Sequence, residues 1–401
     1  MRLSYVIISY NRCQTLLQTL ARLPSVTPVP ADDWDIWVVD NASTDGSADA
    51  VQRQFPRVHL IRNCANQGMY ARNHAFARCT GPYVICLDDD SYPADARAVA
   101  LALSHMDANP TTGALVAKVL LPDGSTEAPA LPSIVMGGAT CYRKSVLDQI
   151  GGFRKEFFRQ AEEYDLSFRV WGGGHRVDRR EDVVFRHDKV PGDGRASPLV
   201  HTLDLRNNLI IAQRFLPAKL RKIYWQDWRL RYQALARGHA KWHEIQKALL
   251  SARLWRLRQS LTGRSPLDDA ALENIFHFRR QAAAIGDWAR RCSVWRVVLA
   301  DFSKNIWPAY NAARSSGLQL RCIADDNPAF DGVEYRGLPI VSVRNAFEGG
   351  GIDGVIITNI NPAQIELRLK TIRRHFPGPV LRLWHRPRTA TQVQVAARSA
   401  A

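Results

Sequence analysis

Asp88-Asp89-Asp90 is the densest concentration of chemistry in this 401-residue chain. Three consecutive carboxylates repel one another. A hard divalent cation offsets that repulsion by binding carboxylate oxygens on one side and phosphate oxygens on the other. The simpler alternative is an exposed acidic turn, or a helix start favoured by the dipole ahead of Pro93-Ala94-Asp95. Position favours the metal, because the triplet follows Tyr83–Leu87, which reads as a buried strand. Three earlier apolar runs also end in polar clusters: Ser9-Tyr10-Asn11-Arg12, Asp40-Asn41-Ala42-Ser43 and Asn63-Cys64-Ala65-Asn66-Gln67-Gly68. In an open parallel sheet the carboxyl ends of the strands gather at one edge, and ligands bind in the crevice there. Four polar strand ends therefore predict one ligand site. Acidic groups beside Asn and Arg suit a phosphorylated ligand bridged by a metal.

A second acidic group lies at Glu162-Glu163-Tyr164-Asp165. Glu162, Asp165 and Arg169 are three and four apart, the spacing of a surface charge ladder on one helix face. Glu163 sits about 100° round from Glu162 and faces differently. His187 ends the run Val183-Val184-Phe185-Arg186-His187, where a lone histidine serves equally as a structural group or a ligand.

The elements that position these groups alternate in type. Ser4–Ser9, Trp34–Asp40, Val58–Arg62 and Tyr83–Leu87 read as strands, with helices over Cys13–Leu23, Ser47–Phe55 and Met69–Arg78. This rhythm predicts an α/β fold with a mostly parallel sheet covered on both faces. Another strand is expected near Gly113–Leu121, a Pro-rich loop over 122–132, and helices near Arg143–Ile150 and Ala161–Trp171. The composition, 46% hydrophobic and 23% charged, excludes a disordered chain, a collagen-like repeat and a small disulfide scaffold. Seven cysteines without paired spacing, and an N-terminus that runs straight into a strand pattern with no signal peptide, predict reduced thiols in a cytoplasmic protein. No window of about 18 residues is free of charge, so no transmembrane helix is expected.

Val6–Arg12, Val38–Ser47, Asn66-Gln67-Gly68 with Ala71-Arg72-Asn73, and Leu87–Ser91 resemble the successive motifs of family-2 glycosyltransferases of the GT-A fold. Gly151-Gly152-Phe153 and Glu162–Arg169 continue the series in order, so the resemblance spans about residues 1–215, and it points to the rhamnosyltransferase-like, cell-wall glycan group. The resemblance implies a metal-dependent inverting transfer of a sugar from a nucleotide-diphosphate donor to a glycan or lipid-linked hydroxyl acceptor, in cell-surface polysaccharide or glycolipid assembly. It implies that Asp40 accepts hydrogen bonds from the nucleobase, although Asx-turn chemistry alone also explains an Asp there. Ser9, Asn11, Arg12, Asn66, Gly68 and Arg72 are expected to line the nucleotide pocket, with Asp88 and Asp89 near the ribose and diphosphate. Asp90, Asp88 and His187 are the expected ligands of Mn²⁺ or Mg²⁺. Glu163 matches the family's catalytic base, where Asp is usual; Glu162 is the alternative, and Asp165 shares the motif. The Gln-x-x-Arg-Trp motif of processive synthases is absent, so single addition is expected. A sugar-phosphate nucleotidyltransferase would need a Gly-rich basic loop after the first strand, which Ser9–Cys13 does not supply. A nucleotide-sugar-binding or lipid-associated protein that has lost catalysis is the non-enzyme alternative.

The remainder reads as a basic, Trp-rich helical region (216–291), a Rossmann-like α/β module (292–386) and a flexible tail (387–401). Basic character is concentrated in the middle: 22 basic against 23 acidic residues over 1–200, 19 against 7 over 201–300, and 13 against 8 beyond. Apolar positions at Leu220, Ile223, Tyr224, Trp228, Tyr232 and Leu235, then Trp242, Ile245, Leu249 and Leu250, describe amphipathic helices interrupted near Gly238. They suit a packed linker. They also suit a surface carrying Trp228, Trp242 and Trp255 that docks on anionic lipid and holds the enzyme peripherally at the inner face of the membrane. No nucleic-acid recognition fold accompanies the charge. In the last module the first strand leads into Ala300–Ile306, which has none of the glycines a phosphate-cradling loop needs.

Overall fold

Residues of β1 (Leu3–Ser9) alternate between two cores, as the two-residue period of a strand requires. In the computed structural model, which describes residues 1–189, 198–237, 242–259 and 265–384, Leu3, Tyr5 and Ile7 pack with Leu16, Leu20, Val99 and Met106. Val6 faces the opposite way, toward Ala71, Phe76, Leu147 and Leu166. The strand is therefore covered on both faces, which is why it reads as a continuous apolar run.

The chain divides into two compact units, Met1–Pro129 with Ser133–Asp193, and Gly194–His385 with Ala130–Pro132. In the first, β2 (Trp34–Asp40), β3 (His59–Arg62) and β4 (Tyr83–Asp88) join β1 in the order β3-β2-β1-β4, all parallel. The connections carry α1 (Cys13–Val26), α2 (Ser47–Gln54) and α3 (Arg72–Phe76). A tight turn, Gly68–Ala71, replaces the start of the helix expected over Met69–Arg78. Past β4 the sheet becomes mixed. β5 (Ser91–Pro93), α4 (Ala96–Ala108), β6 (Thr112–Leu120) and β7 (Thr126–Glu127) precede β8 (Ala139–Arg143), which runs antiparallel to both β4 and β6. After α5 (Lys144–Ile150) and α6 (Glu162–Gly172), β9 (Arg176–His187) pairs parallel with β6 and antiparallel with β5. β9 extends well before the apolar run at 183–187. In its charged first half Arg176–Asp178, Arg179–Glu181 and Arg180–Asp182 pair two apart, each pair within one face, so that the charges along the strand offset one another.

The second unit opens with helices α7 (Pro198–Phe215), α8 (Ala218–Arg237), α9 (Trp242–Gln259), α10 (Asp269–Phe276) and α11 (Phe278–Cys292). Helix α7, read from the sequence as the end of the first domain, packs instead on α8 and α9. A second sheet follows, built from β10 (Arg296–Ala300), β11 (Gln319–Ala324), β12 (Glu334–Tyr335), β13 (Leu338–Val341), β14 (Gly354–Ile357) and β15 (Val380–Arg382). Its parallel strands run β13-β11-β10-β14-β15, the 3-2-1-4-5 order of a Rossmann-like half. Helices α12 (Ile306–Ser315), α13 (Val343–Phe347) and α14 (Ile365–Arg373) connect them.

The glycine-free loop after β10 is covered by the chain itself. Trp228 Nε1 of α8 donates to the Lys304 carbonyl at 3.1 Å, Arg231 donates to the Phe302 carbonyl, and Lys304 pairs with Asp204 of α7 at 2.9 Å. Asp227 of α8 accepts from Tyr335 Oη at 2.8 Å and pairs with Arg336 at 2.7 Å. Trp228 is thus buried, and Trp255 is stacked on Arg214. Neither forms the lipid-facing surface set out for them from the sequence. The interruption near Gly238 and the tail after Pro387 lie outside the described residues.

Candidate active site at the carboxyl edge of the first sheet

Asp40 is the last residue of β2 and is buried. Its Oδ2 accepts from the Ser43 amide at 3.2 Å, a local turn contact three residues on rather than the i to i+2 bond of an Asx-turn, but its buried Oδ1 has no protein partner. The turn therefore uses only half of the carboxylate. Asn41, part of the second polar cluster but given no role of its own there, clamps the third polar loop: it donates to Asn66 Oδ1 at 2.9 Å and to the Gly68 carbonyl at 3.2 Å, and accepts from the Gln67 amide at 2.9 Å. Asn66 in turn accepts from the Gly68 amide at 2.9 Å. Gly68 has φ +60°, and a Cβ there would lie 1.8 Å from the Phe158 carbonyl oxygen, so only glycine fits. Asn11, also at positive φ, accepts from the Thr44 amide at 2.7 Å and ties the first loop to the second. Asn11 and Asn66 thus position loops, whereas Asp40 keeps an acceptor available.

Two arginines and His187 offset the charge of the triplet, with Arg12 shared between Asp89 and Asp90. Asp88 Oδ1 pairs with Arg72 Nη2 at 2.6 Å, and Arg72 is fully buried and also donates to the Leu87 carbonyl at 2.8 Å. A solvated helix arginine is thereby excluded. Arg12 pairs with Asp90 at 2.8 Å and with Asp89 at 3.4 Å. Asp89 also accepts from Ser9 Oγ at 3.0 Å, and burial, only partly opposed by Arg12, pushes its carboxyl up to about 7. Burial would raise Asp90 as well, but His187 and Arg12 outweigh it and hold Asp90 below the usual carboxylate range. His187 Nε2 lies 3.0 Å from Asp90, and its Nδ1 lies 2.7 Å from Glu127. Burial would lower the imidazole. The two carboxylates prevail and raise it to about 10. One oxygen each from Asp88 and Asp90 and a ring nitrogen of His187 lie within 4.8 Å of one another. Oxygen donors with one imidazole suit a divalent cation, and the Glu127–His187 contact has the form of the carboxylate–histidine pairs that orient metal-binding imidazoles. The residues fit such an ion.

Helix α6 brings Glu162 and Glu163 toward the same edge. Glu163 Oε1 accepts from the Gly137 amide at 2.5 Å. A Cβ on Gly137 would lie 3.2 Å from that oxygen and 3.3 Å from Arg72 Nη1, and a Cβ on Gly138 would lie 2.5 Å from Asp88 Oδ2. The Gly137–Gly138 backbone is thus the wall on which Glu163, Arg72 and Asp88 converge. Burial and the neighbouring Glu162 charge push the Glu163 carboxyl up to about 8, and burial pushes Glu162 to about 7. Glu162 keeps one buried oxygen without a protein partner. Asp165 does not join this pair. It is engaged by Arg169 at 2.7 Å and Arg154 at 3.8 Å, while Arg169 also donates to the Ile150 and Gly152 carbonyls. Asp165 braces the helix. Asp165 and Arg169 pair at the four-residue spacing of the expected ladder but are largely buried rather than on the surface, and Glu162 lies outside the pair.

Sequence reasoning missed Gly137, Gly138, Ser91 and Glu127. Ser91 Oγ donates to the Gly138 carbonyl at 2.7 Å and accepts from the Asp88 amide at 2.8 Å. The glycine pair entering a strand was a usable signal, since glycine there marks close approach of another group. Glu127, in the Pro-rich loop, carried none.

A doubly covered sheet with a 3-2-1-4 parallel half, and acidic strand ends facing an acidic helix start, define an α/β fold with a polar crevice at the carboxyl edge of its strands. Residues 4–160, within the first unit, match the model of glycosyl transferase family 2. A relative from Mycobacterium tuberculosis, N-acetylglucosaminyl-diphospho-decaprenol L-rhamnosyltransferase, is 26% identical over 245 residues, which is 48% of this chain and 78% of the relative. Poly(ribitol-phosphate) beta-glucosyltransferase from Bacillus spizizenii is 32% identical over 97 residues, 23% of this chain and 15% of that protein. Among solved structures, residues 1–349 of S. aureus TarS in complex with UDP-GlcNAc superpose with a TM-score of 0.50 at 16% identity, covering 79% of this chain and 93% of that one, a likeness of fold. The chain is a glycosyltransferase of the GT-A fold. Among the described residues no helix is long and apolar enough to cross a membrane.

Proposed function

We propose that the chain transfers a single sugar, with inversion, from a nucleotide-diphosphate donor to a hydroxyl of a glycan or lipid-linked acceptor in cell-envelope assembly. The observation that carries this is the convergence of Asp88, Arg72 and Glu163 on the Gly137–Gly138 wall, beside the Asp88–Asp90–His187 cluster. The unpartnered Asp40 oxygen suits an N–H of the nucleobase. A divalent cation held by Asp88, Asp90 and His187 would supply charge compensation for the leaving diphosphate. Glu163 removes the proton from the acceptor hydroxyl as its oxygen bonds the anomeric carbon; the bond from that carbon to the diphosphate oxygen breaks, and its electron pair leaves with the diphosphate. Arg72 fixes Asp88, and Arg12 balances Asp89 and Asp90 beside the donor. The M. tuberculosis relative acts, by its name, on a diphospho-decaprenol lipid, and we place this enzyme likewise at the cytoplasmic face of a membrane.

A thermal-shift panel of nucleoside diphosphates and nucleotide sugars, with and without Mn²⁺, tests the reading. A ligand at 100 times its Kd stabilises by about 2.7 kcal/mol. One nucleotide family should raise the midpoint, more so with Mn²⁺. No shift with any donor would contradict the proposal.

A further inference from the structure

Helix α9 is buried along one face and unusual along the other. Ile245, Ala248, Leu249 and Ala252 are buried and pack the helix against its neighbours. On the opposite face Leu250, Leu254 and Leu257 are 59, 48 and 67% exposed, spaced four and three apart in one apolar stripe. Trp242, 48% exposed, stands at the start of the same helix. The other exposed residues described on α9 are His243, Gln246, Lys247 and Arg253, so none of them is acidic. Scattered exposed leucines need no explanation, but three in register beside basic residues form a patch. An apolar stripe flanked by cations is the pattern of helices that lie in a bilayer interface, their leucines at the acyl boundary and their cations at anionic headgroups.

We propose that the Leu250–Leu254–Leu257 face of α9, with Lys247 and Arg253, docks the enzyme on an anionic lipid surface. The occupant follows from charge: the segment 201–300 carries 19 basic against 7 acidic residues, which attracts an anionic headgroup layer and repels a second copy of itself. The proposal deepens the reading of a lipid-linked acceptor given above. It differs from a Trp-based surface, because Trp228 and Trp255 are engaged within the unit.

The test is co-sedimentation of the full chain with phosphatidylglycerol or phosphatidylcholine vesicles, alongside nucleoside diphosphate release from nucleotide sugars without vesicles. The wild type should bind phosphatidylglycerol vesicles at low salt, weaken steeply as salt rises, and ignore phosphatidylcholine. Lys247→Gln with Arg253→Gln should weaken binding by about fivefold per residue, about 25-fold together. Leu250→Asn, Leu254→Asn and Leu257→Asn combined should abolish it with thermal midpoint and donor turnover unchanged, since all three side chains are exposed. Three results would overturn the proposal: no wild-type binding to anionic vesicles at low salt, undiminished binding by the leucine variant, or a wild-type dimer that the leucine variant converts to monomer without any vesicle binding. Vesicle binding by a chain that turns over no donor would uphold the surface and remove the catalytic reading instead.

Discussion

Gly138→Ala puts the convergence of the site under direct strain. The new Cβ would lie 2.5 Å from Asp88 Oδ2 and 2.9 Å from Ser91 Oγ, whereas ordinary contacts begin near 3.4 Å, so Asp88 must retreat by about 1 Å. It is not free to do so, because Oδ1 is held at 2.6 Å by Arg72, a fully buried cation whose charge Asp88 balances. If the Gly138 backbone moves instead, it pulls on the Ser91 hydrogen bond at 2.7 Å. Overpacking of this kind costs about 1–3 kcal/mol, and each kcal/mol lowers the midpoint by about 2–4 °C in a domain of this size. A misplacement of about 1 Å in a reacting constellation costs about 10²-fold in rate. The expected result is a modest loss of stability with a loss of about 10²-fold in donor turnover, measured by thermal denaturation and initial rates of nucleoside diphosphate release. Gly349→Ala, where a Cβ meets nothing within 4 Å, is the control. Turnover of Gly138→Ala within about threefold of wild type would refute the view that the glycine pair positions Asp88.

Glu163→Gln should retain donor affinity by calorimetry and lose about 10²–10⁴-fold in transfer rate; near-normal transfer, with a dead Glu162→Gln, would move the base to Glu162. Glu162 and Glu163 titrate near 7 and 8 in the folded protein, above the 4.5 of a free Glu, so between about pH 4.5 and 8 the native state holds protons that the unfolded chain has released. Stability therefore falls as pH rises through that window, and Glu163→Gln should flatten the fall in denaturant midpoints between pH 5 and 9; an unchanged slope would contradict this. In the second unit Trp228→Ala should destabilise by about 3–5 kcal/mol, whereas Trp242→Ala, at an exposed position, should stay within about 0.5 kcal/mol; equal effects in chemical denaturation would contradict the packing.

Much of the site was legible because parallel strands present their ends in one place. Asp40 and Asp88–Asp90 could be assigned to one crevice from local pattern alone, and β2 runs over Trp34–Asp40 as expected. What was hidden depends on partners distant in sequence. β8 is a five-residue strand behind a loop, and its antiparallel pairing with β4 has no local signature. β9 was masked by charges that cancel only once pleated into pairs. The engagement of Asp165 by Arg169 was visible as a four-residue spacing, but Arg154 was not, nor was the meeting of Glu127 with His187 sixty residues away. In the second unit, a periodic apolar face specified burial without saying that α8 would cover the loop after β10.

One donor site, built on Asp90 and served by Glu163, is proposed to perform the sugar transfer. Its most direct test is nucleoside diphosphate release across a panel of nucleotide sugars with Mn²⁺ and a lipid-linked acceptor, comparing wild type, Asp90→Asn and Glu163→Gln. Release from a restricted donor set by the wild type, with loss of metal-dependent donor binding in Asp90→Asn and loss of turnover alone in Glu163→Gln, is the predicted result. Release at wild-type rates by both variants, or from no donor at all, would contradict it.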